Sequence, residues 1–260
     1  MDHQSAFLQT IRRSLGIAPE AERPKDCFPD LFAATDTSLL REKITTRTRE
    51  ERDELVEILR ENAQALGIHI QIVGSQAEAA ATIVDLIRSK APEFTHTKHI
   101  IHHDHPDLTA LQLWKRFPRE GITVHATFSP DRQLRDKTIA SFIGITAPDI
   151  GVADSATLIQ MTTAGRPRAT SLVPSIHIAL LHQQNLVADL TEAYALLQEE
   201  QKLDSFVFIT GPSKTADIEA QMVHGAHGPR EVHLLVLSPP PEETAKVRPT
   251  TDTDEQPPSA

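Results

Sequence analysis

The residues with the clearest chemical potential follow a strand-like run, SFVFIT, near the carboxyl end of the sequence. The phrase GPSKTADIE places a glycine and a proline in a tight turn, with a serine at the cap of a helix predicted for KTADIEAQMV. Unpaired N–H groups in the first turn of a helix, with the helix dipole behind them, attract anions. We therefore predict a small-anion site here, and plain helix capping is the alternative. The predicted ligand-binding residues are Gly211, Ser213, Lys214, Thr215 and Asp217.

A carboxylate beside a hydroxyl occurs in the phrase VADSATL. Asp154 and Ser155 follow a short β-like run and are predicted to be catalytic, with Asp154 as a general base. Thr157, two residues further on, is predicted to help hold the ligand. Such residues also satisfy the N–H groups of ordinary β-turns, and the residue types alone leave both interpretations open.

Two arginines stand close together in the phrase GRPRATSLVP. The parallel N–H donors of a guanidinium match a carboxylate, so Arg166 is predicted to bind a 2-hydroxy or 2-keto acid. Arg168 is the second candidate in the same loop. The alternative is a solvated turn with no ligand.

The chain has 13 histidines, and two of them stand at a spacing that a metal ion could use. His224 and His227 are three residues apart, and His177, His182 or Asp154 could add a third ligand. The alternative is that the neighbouring glycines end a helix and these histidines bind the backbone, and we predict no bound metal.

A denser histidine run, THTKHIIHHDHPD, is expected to be a solvated strand end. Alternation along a strand sends His102 and His103 to opposite faces of the sheet, which separates them as ligands.

Composition excludes several classes of function. The formal net charge of −10 argues against nucleic-acid binding, and a single cysteine excludes a thiolate iron–sulfur or structural zinc site within this chain. There is no transmembrane-length apolar run and no apolar leader, so a cytoplasmic setting without membrane contact is expected. The glycine-rich nucleotide-binding phrases and the serine-hydrolase elbow are also absent from the sequence.

The elements that must position these residues alternate between strand and helix from Ile68 onward. This order predicts an α/β fold: a Rossmann-like, mostly parallel sheet with helices on both faces, a β-rich insertion around residues 141–181, and N-terminal helices. One long helix is predicted from Ser38 to Leu66, with only its apolar end docked on the core. The predicted boundaries are 1–66 for the N-terminal helical segment, 67–238 for the α/β domain and 239–260 for a disordered tail.

Three phrases together resemble the lactate-utilization protein C family, whose defining unit is the LUD domain. They are GITAPDIGVADSATLIQ, GRPRATSLVPSIHIALL and FITGPSKTADIEAQMVHGAHGPREVHLLVL, and the third is the most specific. The resemblance covers nearly the whole chain up to Ser238. Members of the family commonly carry glycine where this chain has Ala156, and alanine resists positive φ.

The resemblance implies a fold similar to the ribose-phosphate isomerase, glucosamine-phosphate deaminase and CoA-transferase superfamily. It also implies a subunit or accessory role in oxidising L-lactate to pyruvate beside iron–sulfur partner proteins. No cofactor is expected on this chain itself, and the iron–sulfur clusters are expected in the partners. The alternative that the fold permits is a stand-alone enzyme of the phosphosugar isomerase or CoA-transferase type.

Overall fold

A six-stranded sheet, parallel throughout, forms the centre of the protein in this computed structural model. The chain divides into two units, residues 1–39 and 40–260. The structure describes residues 3–17, 36–93, 95–128, 132–198, 205–216, 222–224 and 228–238. Within this described part, none of the helices combines the length and the apolar composition that a bilayer crossing demands.

Twelve strands are distributed over two sheets and one small hairpin in the described residues. The strands are β1 Ile68–Val73, β2 Lys98–His102, β3 Ile122–Ala126, β4 Ile143–Thr146, β5 Ile150–Val152, β6 Thr157–Thr162, β7 Ile176–His182, β8 Leu186–Val187, β9 Ser205–Ile209, β10 Lys214–Ala216, β11 Met222–His224 and β12 Glu231–Leu237. The order in the main sheet is β1-β12-β7-β4-β2-β3, and in the second sheet β8-β5-β6-β9.

The described residues also form α-helices. They are α1 His3–Ser14, α2 Ser38–Thr46, α3 Arg49–Leu66, α4 Gln76–Ser89, α5 Pro106–Ala110, α6 Leu134–Ala140, α7 Ala169–Leu172 and α8 Leu190–Leu197, with 3-10 turns at Leu113–Lys115 and Gln183–Asn185. In the smaller unit, α1 is followed by Gly16 in the left-handed region, as its sequence predicts.

The main sheet has an apolar core on each face. On one face α4 and α5 pack over Ile100, Ile145 and Leu180. On the other face α3 and the second sheet pack over Leu181 and Leu234. Burial on both faces explains why these strands are rich in isoleucine, leucine and valine. The predicted fold class is therefore confirmed, including helices on both faces.

The second sheet is the predicted β-rich insertion, and its outer face is covered by α8. β5 pairs with β6, and β6 with β9, in antiparallel fashion. β4 and β7 lie in the same stretch of sequence but join the main sheet as parallel neighbours. Within that stretch, antiparallel pairing is therefore found only in its middle, between β5 and β6.

The long helix predicted from Ser38 to Leu66 is divided into α2 and α3. Thr48 starts α3 with a capping box, since its Oγ1 accepts from the N–H of Glu51 and the Glu51 carboxylate accepts from the N–H of Thr48. Arg47, just before this cap, donates to both carboxylate oxygens of Glu192 in α8 at 2.8 and 2.9 Å. The apolar end of α3 docks on the core, as predicted, and Gly67 ends it at a φ of 82°.

One glycine of the main sheet is required by packing. The backbone of α7 lies so close to β4 that a methyl group at Gly144 would overlap the carbonyl oxygen of Thr170. The short helix is therefore seated directly on the sheet.

The domain boundaries at 66 and 238 stay predictions, and the predicted tail at 239–260 lies outside the described residues. Part of the segment just before α6 also lies outside them.

Candidate functional site

The connections that leave β2 and β4 diverge, and this defines the most favourable place for a ligand. After β2 the chain crosses one face of the sheet through α5 and returns as β3 on one side of β2. After β4 it passes to the other face, builds part of the second sheet and returns as β7 on the opposite side. Open α/β sheets bind ligands outside the carboxyl ends of their strands at such a switch point.

Six ionisable side chains converge at this point, and we call them the switch-point cluster. They come from the segment after β2 and the start of α5, from the turns after β4 and β6, and from the last residue of β7. The cluster consists of His103, His105, Asp107, Asp149, Arg166 and His182. Burial lowers the pKa of His105, and its ring also interacts electrostatically with its charged neighbours in the cluster.

An aspartate and a histidine of the cluster form a hydrogen-bonded pair. His182 Nε2 lies 2.8 Å from a carboxylate oxygen of Asp107, and the two side chains are 20% and 19% exposed. Because a carboxylate accepts, the ring hydrogen lies on Nε2 and Nδ1 keeps its lone pair. A carboxylate-oriented imidazole of this kind can take a proton from a bound hydroxyl group.

Arg166 and Asp149 form the second pair of the cluster. The guanidinium donates to both oxygens of Asp149 at 2.8 and 2.6 Å, and to the carbonyl of Ala147 at 2.9 Å. Asp149 also accepts from the N–H of Met161 at 2.7 Å. This network anchors the loop after β6. The paired donors that the sequence assigned to a ligand carboxylate are therefore engaged by Asp149.

His103 lies at the buried end of the cluster. Its Nε2 is 3.3 Å from the carbonyl oxygen of Pro167, which places the hydrogen on Nε2. Burial, together with the positive charge of Arg166, lowers the pKa of His103 to about 3. Its Nδ1 has no hydrogen-bond partner among the described residues. His103 is thus a neutral imidazole with an unused acceptor.

A polar layer continues from His103 into the space between the two sheets. His177 is fully buried, its Nε2 lies 2.8 Å from Thr146 Oγ1, and burial lowers its pKa to about 4. Gln160, on the face of β6 that carries Leu158 to the core, is also fully buried. The structure describes no partner for the Gln160 amide or for His177 Nδ1. Orphaned buried polar atoms are uncommon and often mark functional positions.

The opposite face of β2 has a different character. His102 lines a pocket of about 270 Å³ with Thr109, Trp114, Val124, Ala126 and Phe128. Its Nδ1 lies 2.7 Å from the carbonyl oxygen of His103, and burial lowers its pKa. The described residues of this lining are mostly apolar and include no lysine or arginine, so a small carboxylate fits the switch-point cluster better.

The expectation that the histidine run is a solvated strand end is wrong. His102 is 3% exposed and His103 is fully buried, because β2 lies between β4 and β3 and is covered on both faces. The predicted separation onto opposite faces is correct. The histidine run marks the position of the site in the sequence. It could be recognised as such only once the place of β2 in the sheet is known.

Two of the predicted segments lie together. Thr157 Oγ1 is 2.8 Å from Thr210 Oγ1, so the turn after β5 is beside the turn after β9. Asp154 is exposed in this turn, and its N–H donates to the carbonyl of Ala188. Ser155 has a buried Oγ without a described partner. Their predicted catalytic role stays a prediction.

Arg166 lies away from those two turns. It follows β6, whereas Thr157 starts that strand, and the five residue steps from Thr157 to Thr162 span roughly 17 Å. Gly211 lies next to Leu66 and Ile68, at the amino edge of the main sheet. The structure therefore does not bring the three predicted segments into one cleft.

The helix predicted after the GPS turn is wrong. Residues Lys214–Ala216 form β10, which pairs antiparallel with β11 and so satisfies its backbone groups in a hairpin. The N–H of Ser213 donates to the carbonyl of Pro229 at 2.8 Å, and Lys214 Nζ donates to the carbonyl of Leu66 at 2.9 Å. One backbone N–H of the turn and the charge of Lys214 are therefore engaged within the protein. Anion binding by Gly211, Ser213, Lys214, Thr215 and Asp217 stays a prediction, and Asp217 lies outside the described residues.

Two further predictions concern metal ligands and the departure from the family phrase. His224 is in β11, and His227 lies outside the described residues. Ala156 is buried at a φ of 45°, so the backbone keeps the left-handed conformation that favours glycine.

Comparison with known proteins gives a consistent result. The family model of the LUD domain matches residues 56–237. Lactate utilization protein C of Geobacillus sp. (strain WCH70) is 32% identical over 194 residues, which cover 72% of this chain and 79% of that protein. Lactate utilization protein C of Bacillus velezensis is 28% identical over 244 residues, covering 90% and 95% of the two chains. A crystal structure of a DUF162 family protein from Deinococcus radiodurans is 18% identical, with a TM-score of 0.49, and covers 72% of this chain and 98% of that one.

The protein is thus a two-sheet α/β protein, with a parallel main sheet and a second sheet beside it. Its polar site lies at the switch point, at the carboxyl ends of the parallel strands. The chain belongs to the LUD domain family and, within it, to the lactate utilization protein C group. The expected similarity to phosphosugar isomerases and CoA-transferases stays a prediction.

Proposed function

We propose that this chain takes part in L-lactate utilization, binding a small carboxylate at its switch-point cluster and working beside iron–sulfur partner proteins. The observation that carries the proposal is the Asp107–His182 pair, a carboxylate-oriented imidazole at the switch point of the sheet. The names of the relatives support the choice of lactate over other small acids.

The chemistry divides between this chain and its partners. Oxidation of L-lactate to pyruvate removes two electrons and two protons. His182, held by Asp107 through Nε2, accepts the hydroxyl proton at Nδ1. As the C=O bond forms, the Cα–H bond breaks, its hydrogen leaves with the bonding electron pair to the redox group of a partner protein, and the second proton is released from there to solvent. The electrons go to a partner protein, because a chain with one cysteine cannot supply the thiolates of an iron–sulfur cluster.

The carboxylate of the ligand needs a positive charge that is not already paired. Arg166 is engaged by Asp149, whereas Arg168, two residues further along the same loop, is exposed and has no ion pair with any described residue. We assign carboxylate binding to Arg168 and loop positioning to Arg166, which reverses their order of preference from the sequence.

The proton-transfer role is tested in cells that grow on L-lactate with this chain as the only copy. His182→Gln should lower lactate-dependent oxygen uptake by roughly 100-fold, since general base catalysis contributes at least that much. Asp107→Asn should cause a comparable loss because it releases the ring. His96→Gln, in an exposed loop, is the control and should grow normally. Wild-type uptake in His182→Gln would contradict the proposal.

Ligand binding is tested separately by calorimetry on the purified chain with L-lactate and with pyruvate. Arg168→Gln should weaken binding about tenfold or more, whereas His182→Gln should leave it within a few-fold. A purified chain that binds neither acid would remove the carboxylate-binding part of the proposal.

A further inference from the structure

A second group of donor atoms lies at the amino edge of the main sheet, away from the switch-point cluster. His69 of β1 and His233 of β12 are register partners on adjacent parallel strands. Their rings are stacked, with centroids 4.8 Å apart and an interplanar angle of 22°. Glu231 lies two residues before His233 on the same face of β12, and its Oε2 is 3.1 Å from His233 Nε2.

These three side chains can supply one ligand atom each within a small volume. The two imidazole nitrogens and the carboxylate oxygen all lie within 4.8 Å of one another. Zinc bonds to nitrogen and oxygen ligands are about 2.0–2.2 Å long. Two ligand atoms on the same zinc ion are therefore less than 4.8 Å apart, so these side chains must move slightly closer together to bind one. His69 is exposed on an edge strand and can rotate inward, whereas His233 is held by burial.

We propose that His69, Glu231 and His233 form a site for a borderline divalent metal ion, Zn²⁺ or Co²⁺, with an open position for water. Two imidazoles and one carboxylate suit such ions, and harder ions such as Mg²⁺ prefer oxygen ligands alone. The site joins the edge strand β1 to its neighbour β12. It is independent of the lactate proposal, because none of its residues belongs to the switch-point cluster.

Lys90 is the internal competitor for this site. It follows the last residue of α4, its side chain is 30% exposed, and its ammonium contacts Glu231 Oε2. A divalent ion must displace this ammonium from the carboxylate. Lys90→Gln should therefore tighten metal binding about tenfold, the effect expected from removing one nearby positive charge.

The experiment is titration of the full chain with CoCl₂, followed by visible absorption, and then displacement with ZnCl₂. The wild type should bind one Co²⁺ per chain in its tightest step, and His69→Gln and Glu231→Gln should each weaken that step roughly 10- to 100-fold. The control is His99→Gln, because His99 and His125 are also stacked across strands but are not part of the triad. It should bind as the wild type does.

A second readout separates loss of the site from loss of the fold. Zn²⁺ should raise the thermal unfolding temperature of the wild type and of His99→Gln, but not of His69→Gln, because binding to the folded state alone stabilises it. His69 is exposed, so this variant should fold. Equal loss of Co²⁺ affinity in His69→Gln and His99→Gln, or no loss in either, would overturn the site. Weaker binding in Lys90→Gln would overturn the competition.

Discussion

At the scale of single residues, one buried histidine of the cluster and one buried histidine beside it are neutral for the same reason. His103 and His177 are surrounded by protein, and burial holds their pKa values at about 3 and about 4. In the unfolded chain the same imidazoles titrate near their ordinary pKa of 6.5. As the pH falls below that value, the unfolded state therefore takes up protons that the folded state does not accept.

We expect stability to fall between pH 6.5 and pH 4.5 by roughly 1 kcal/mol per pH unit for each of these histidines. Urea unfolding of the wild type and of His103→Gln at both pH values checks this. The variant should be less stable at neutral pH but should lose less stability on acidification. His96→Gln should follow the wild-type profile, and identical pH slopes in all three proteins would contradict the assignment.

Ala156 shows how one residue type can mislead a prediction about a site. The alanine in place of the family glycine suggested a changed backbone, yet the backbone keeps a φ of 45°. We expect Ala156→Gly to change the free energy of unfolding by less than about 1 kcal/mol, because relief of strain is offset by loss of a buried methyl group and by greater freedom of the unfolded chain.

Ala156→Val should instead cost more than about 2 kcal/mol, since a β-branched residue is disfavoured at positive φ and the position is fully buried. Urea denaturation of the two variants measures both values. A tolerated valine would show that the left-handed conformation is not required at this position.

At the scale of elements, strands and regular helices were predictable because their patterns are local. The start of α4 has such a pattern, a serine cap at Ser75 with a glutamate, Glu78, three residues on. The division between α2 and α3 also had a local signal, the capping box TREE, but charged residues on both sides concealed it. The hairpin of β10 and β11 had no such signal, because a capped helix and a strand pair compete for the same backbone groups.

The contact between α2 and α8 depends on a buried ion pair. The side chains of Arg47 and Glu192 are only 5% and 2% exposed. Burial alone would raise the pKa of Glu192, but hydrogen bonds from Ala188 and Arg47 outweigh it and lower that pKa. We expect Arg47→Met to destabilise the protein by about 3 kcal/mol, because it leaves a buried carboxylate without its main partner.

Lys43 offers a matched control, since its ammonium is 3.1 Å from the same carboxylate but 63% exposed. Lys43→Met should cost less than about 1 kcal/mol. Chemical denaturation of both variants gives the comparison. Equal losses would mean that exposure does not decide the strength of these two pairs.

At the scale of the whole molecule, the site could not be assembled from the sequence. The order of strands in a parallel sheet is not encoded in local patterns, and the switch point exists only once β2 lies beside β4. Arg166 was predicted as a site residue because its chemistry is distinctive. Asp107 and Asp149 were missed, since an aspartate at a helix start or in a turn has no distinguishing feature until its partner is known.

Gly144 influences the candidate site through the packing of α7, although it is not one of the site residues. The residue touches no ligand and carries no functional group, yet its lack of a side chain allows α7 to rest on β4. A larger residue would raise that helix and, with it, Pro167, whose carbonyl fixes the ring of His103. A substitution that never meets the ligand can therefore displace the carbonyl group that orients a site histidine.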